Sequence, residues 1–112
     1  MALIVSKGSL DSRFNDEKAV AKKVLETQNS RIVLFFLKKG QKVDLHQSPS
    51  DVILTVLEGK GRFFIGNEEE FKDLTNGEFI IYKPNEPHGF EALTDLIVQA
   101  IITPIPVKKI TL

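Results

Sequence analysis

VDLHQSPSDVILTVLEGKG, Val43 to Gly61, holds a short alternating run ending in His46, a Ser-Pro-Ser-Asp loop, an unbroken apolar run and a Gly-Lys-Gly turn. Short runs rich in Val, Ile, Phe and Thr, bounded by Gly, Pro, Asn and Ser, read as strands, and this stretch contains two in succession. The same punctuation extends outward. RIVLFFL (Arg31–Leu37) precedes it, and RFFI (Arg62–Ile65), FKDL (Phe71–Leu74), FIIY (Phe79–Tyr82), FEAL (Phe90–Leu93) and LIVQAII (Leu96–Ile102) follow. Eight strand-length runs between Arg31 and Ile102 leave little room for helix and predict an all-β sandwich or barrel. FFIGNEEEFKDL reads as a hairpin, because Gly66-Asn67 tolerates positive φ between two runs that carry aromatics. NDEKAVAKKVLETQN, Asn15 to Asn29, is open: its composition favours an amphipathic helix capped by Asn15, whereas Val20, Lys22 and Val24 alternate as a strand would. The prolines of TPIPVKKITL suit an edge strand or an extended arm.

Composition limits the function. At 112 residues the chain is expected to form one domain, burying roughly 65% of its unfolded surface without staples. Fifteen basic residues balance fifteen acidic ones and no Lys/Arg cluster exceeds a pair, which argues against a nucleic-acid partner. The absence of cysteine removes disulfides, thiolate metal sites and cysteine nucleophiles, and fits a cytoplasmic protein. The opening MALIV is too short for a signal-peptide core, and no apolar run approaches the length of a membrane span, so no membrane partner is expected. No Gly-x-Ser-x-Gly elbow occurs, and Gly59-Lys60-Gly61 lacks the third glycine and following helix of a dinucleotide loop. The acidic run Glu68-Glu69-Glu70 is expected at the hairpin tip as a solvated face.

Gly40, five residues, His46, then SPSD, an apolar strand and LEGKGRF resemble the first motif of the cupins, and Gly77-EFIIYKPNEP-His88 resembles the second, with seventeen residues between Gly59 and Gly77. The chain is thereby similar to the small single-domain cupins of the conserved-barrel cupin-2 type. The resemblance implies a small jelly-roll β-barrel of two antiparallel sheets, whose closure removes most sheet edges, and a homodimer. It implies one cupin domain over residues 1–112: a barrel core at about 31–102, a short N-terminal extension, 1–30, and a C-terminal arm, 103–112.

Set against the family's metal motif, His46 and His88 match, but Ser48 stands where a second histidine is usual and Val52 where a glutamate is usual. Ala92 replaces the asparagine that follows the later histidine, and Lys83 and Asn85 replace a proline and a glycine. Asn85 is the mildest of these changes, because asparagine tolerates the left-handed conformation. Two imidazoles and a carboxylate with open positions bind a chelating substrate or oxygen, whereas valine offers no donor and neutral serine a poor one. The metal motif is therefore degenerate, and a divalent metal such as iron, nickel, manganese or zinc on His46 and His88 alone is expected to bind weakly.

If the His46 run is regular, Asp44, His46 and Ser48 share a face and Asp44 becomes the best substitute carboxylate, with Glu86 next. Gln99 lies either on an outer strand face or inside the barrel, where it would orient a ligand. The favoured reading is a protein that binds or senses a small polar molecule in the barrel through His46, Ser48, His88, Gln99 and Asp44, with no catalytic residue assigned. The alternatives are a metal-dependent dioxygenase or isomerase using His46, His88 and a substitute carboxylate, and a dimeric scaffold without a pocket function.

Overall fold

The structure is a computed structural model, and it describes residues 2–5 and 13–106. Among the described residues nine strands form: β1 (Val20–Glu26), β2 (Arg31–Leu37), β3 (Lys42–His46), β4 (Asp51–Glu58), β5 (Lys60–Ile65), β6 (Asn67–Thr75), β7 (Phe79–Tyr82), β8 (His88–Ala92) and β9 (Leu96–Thr103). They make two sheets, one ordered β1-β2-β9-β4-β7 and the other β3-β8-β5-β6, and every pairing is antiparallel. Among the described residues no helix is long and apolar enough to cross a membrane.

Alternation along the central strands builds the core. On β2 the inward row is Arg31, Val33, Phe35 and Leu37, which pair with Ile102, Ala100, Val98 and Leu96 of β9. Those residues pair in turn with the inward row of β4, Val52, Leu54 and Val56. The facing sheet contributes Phe63 of β5 and Phe90 and Ala92 of β8, with Phe63 and Phe90 stacked at 5.2 Å and Phe35 edge-on to Phe90 at 5.5 Å. Both aromatic geometries suit the ring quadrupole and add to simple area burial. Apolar residues on both faces of β2 and β9 explain why their sequences read as unbroken hydrophobic runs. The outer face of the larger sheet carries the isoleucine row Ile32, Ile101, Ile53 and Ile81.

Local expectations meet mixed outcomes. The Asn15–Asn29 segment is partly a strand: β1 pairs with β2 through Leu34, Val33 and their neighbours, so part of the expected extension belongs to the sheet. Its helix-favouring composition yields to the backbone hydrogen bonds and the apolar contacts offered by β2, tertiary packing that outweighs weak propensity. The β5–β6 hairpin forms with Gly66 at φ 79°. The acidic run, however, lies on β6 rather than at the tip, because Asn67 begins the strand and its Oδ1 accepts from the amides of Glu69 and Glu70 at 2.8 and 2.9 Å. As an exposed, charged edge strand, β6 is poorly suited to pairing with another chain. Asn85 has φ 68°, the left-handed conformation that its side chain tolerates. β9 ends at Thr103, and the arm beyond Pro106 lies outside the described residues.

Candidate functional site

The two histidines meet because of one irregularity. Val43 pairs with Phe90 and His46 with His88, so three steps along β3 match two along β8. The extra residue is a β-bulge. Without it, alternation from inward Val43 would turn His46 outward; with it, His46 joins His88 at a ring-centroid distance of 4.0 Å. Gly89 makes room for the bulge. A Cβ there would stand 2.7 Å from the Val43 carbonyl oxygen and 3.0 Å from the Asp44 carbonyl carbon and the Leu45 nitrogen.

The bulge also corrects the expectation for Asp44. A regular run would have placed its carboxylate beside His46, but its side chain is 93% exposed, 4.0 Å from Lys42 Nζ. Glu86 is spent on its own turn, where its carboxylate accepts from the Lys83 amide at 2.9 Å. Gln99 pairs with Leu34 and Thr55 on the outer face of the larger sheet, so it does not join the histidines. It lines a separate cavity with Val5, Val24, Ile32, Leu34 and Leu57. Period-two alternation places it there, since inward Val98 and Ala100 flank it.

His46, Ser48 and His88 do come together, lining a cavity of about 160 Å³ between the sheets. Its apolar wall includes Phe35, Leu54, Phe90 and Ala100, and Val52 stands in it as a methyl-bearing surface. His88 is buried and His46 exposed, so the cavity reaches solvent on the β3 side. His46 Nδ1 lies 2.9 Å from the Asp44 carbonyl oxygen and His88 Nδ1 3.0 Å from that of Glu86. A carbonyl only accepts, so each Nδ1 carries a proton, and an imidazole in its neutral form then keeps Nε2 as an acceptor. Burial holds the His88 pKa below its ordinary value, with the nearby His46 acting in the same direction and the Glu86 carbonyl opposing both. Tyr82, buried at 5.3 Å from the His88 ring, donates to the Phe64 carbonyl, and burial pushes its pKa upward.

This donor set does not fit the family's metal centre. Among the described residues no group of three or more His, Cys, Asp or Glu side chains gathers. Among the described residues the cavity offers two imidazole nitrogens and one hydroxyl, and the only formally charged residue lining it is a cation, Arg31. A divalent ion favours anionic donors and is repelled by a neighbouring positive charge.

Arg31 is the functional candidate that sequence reading missed. It heads the inward row of β2 but begins a run apolar on both faces, so nothing in RIVLFFL distinguishes a residue facing the cavity from a charged strand end.

The cupin-domain family model matches residues 33–103. Among solved structures, an RmlC-like cupin protein from Desulfovibrio desulfuricans is 30% identical, with a TM-score of 0.84 over 92% of this chain and 98% of that one. A Thermus thermophilus protein is 25% identical with a TM-score of 0.81, covering 92% of this chain and 98% of its own. KdgF from Halomonas, 22% identical with a TM-score of 0.76 over 90% of this chain and 94% of that one, shares the fold. No curated protein matches.

Proposed function

The chain belongs to the cupin family, and from that premise we propose that it binds a small organic molecule between its sheets rather than performing metal-centred chemistry. The observation that carries the reading is the His46–His88 pair. Nδ1 of each ring faces a backbone carbonyl, an arrangement that a metal ligand also uses, but the two neighbouring metal-motif positions in the same cavity wall are Ser48 and Val52, which supply neither a third imidazole nor a carboxylate. Two imidazole nitrogens and a hydroxyl in an apolar cavity suit a ligand with a hydrocarbon body and a hydrogen-bonding polar group, the usual division of labour in small-molecule sites. The cavity is below the usual range for drug-sized ligands, so the expected ligand is small.

Elemental analysis of untagged protein, purified without chelator and then incubated with iron, nickel, manganese or zinc, tests this. The expected result is little retained metal in the wild type and near-stoichiometric metal in a Ser48→His/Val52→Glu variant. Tight stoichiometric metal in the wild type, lost in a His46→Ala/His88→Ala variant, would replace this reading with that of a metal-dependent enzyme.

We also propose a homodimer, with a second copy covering the outer face of the larger sheet. The isoleucine row across β2, β9, β4 and β7 supports it, as do Phe79 and Ile81 on β7, 61% and 55% exposed. Contiguous apolar surface of this kind marks interaction sites, and two-fold pairing of identical faces is the commonest way to cover it.

A further inference from the structure

Resting on the pocket reading above, we propose that the ligand is a carboxylate, held by Arg31 at the end of the cavity where β2 pairs with the end of β9. Arg31 lies on the inward row of β2, opposite Ile102, and among the described residues no acidic side chain lines the cavity with it. Its side chain is 35% exposed, and its Nε donates to Glu26 Oε1 at 2.9 Å. Glu26 Oε2 is in turn shared with Lys23 Nζ at 3.4 Å, so the Lys23–Glu26–Arg31 group retains a net positive charge. Among the described residues that bond uses only Nε, which leaves Nη1 and Nη2 as paired donors. Such a planar pair matches the two oxygens of a carboxylate.

The other polar groups refine the class. The histidines present Nε2 as acceptors while neutral, and they therefore match a hydroxyl rather than a second carboxylate. Phe35, Leu54 and Phe90 accommodate a hydrocarbon body between the two ends. The ligand class is thus a small hydroxylated monocarboxylic acid with an apolar middle, bound without covalent change.

The test uses four probes of similar shape: 4-hydroxybenzoate, its neutral amide, benzoate and phenol, titrated into the full-length protein and followed by backbone and imidazole NMR shifts. 4-Hydroxybenzoate is expected to shift His46, His88 and Phe90 resonances and to bind at least about tenfold more tightly than its amide. Arg31→Gln is expected to erase that preference, Arg31→Lys to keep part of it, and Glu26→Gln to bind the carboxylate no less tightly than the wild type. The Lys and Glu26 variants separate loss of the charge from damage to the β1–β2 corner. Equal binding of acid and amide, or a preference that survives Arg31→Gln, would overturn the carboxylate assignment and leave the pocket reading intact. No shift at the cavity with any probe, in protein shown by its spectrum to be folded, would overturn both.

Discussion

At the scale of single residues, His88 links the cavity to stability. Its folded-state pKa lies below the ordinary imidazole value of 6.5, chiefly through burial. The unfolded chain therefore binds this proton more readily than the native one. The resulting contribution to stability is complete above about pH 6.5 and is lost as the pH falls through that value toward the lower native pKa. Chemical denaturation in steps from about pH 7.5 to about pH 5 should show the wild type losing stability, and His88→Gln should lose less over the same window. Equal slopes in the two proteins would mean that the native imidazole is as free to protonate as the unfolded one. Ser48 and Val52 carry the other residue-scale lesson. Both line the cavity beside the histidines, so the residues at those two positions, rather than a distortion of the barrel, decide which donors the site offers.

At the scale of elements, the β3–β8 pairing is the device that makes the site. The bulge opposite Gly89 turns His46 inward and leaves Asp44 in solvent. Gly89→Ala should destabilise the protein by about 1–3 kcal/mol, because its new methyl meets backbone rather than a movable side chain. Thermal unfolding reads the cost. NMR should also show the His46 resonances displaced while those of Phe63, on the far side of β8, move little. An alanine variant with native stability and an unmoved His46 would show that β3 yields without cost. The β1 result belongs to the same scale: seven residues of ambiguous propensity become a strand because β2 presents a pairing edge.

At the scale of the whole molecule, the larger sheet is apolar on both faces, one closed by the smaller sheet and the other carrying Ile53, Phe79 and Ile81 outward. Sedimentation of the wild type should give twice the mass of the chain. Phe79→Glu should shift that equilibrium toward the monomer with little change in intrinsic fold, since Phe79 is already 61% exposed in the single chain. A wild type that sediments as a monomer at high concentration would remove the sheet face as an interface.

Alternating apolar runs, Gly/Asn turns and the paired Gly–His motifs determined the β architecture, the β5–β6 hairpin, the left-handed Asn85 and the identity of the two histidines. Those features are local, resting on side-chain period, on φ preference and on residue type, all of which are written in short windows of sequence. Only the tertiary structure decided which face each residue meets. Asp44 was lost from the site and Gln99 assigned outward because a bulge and cross-strand register set orientation, and one inserted residue reverses every alternation beyond it. Arg31 was invisible for the same reason. Its strand is apolar on both faces, so its place at the cavity wall depends on its partner Ile102, seventy-one positions away in the chain.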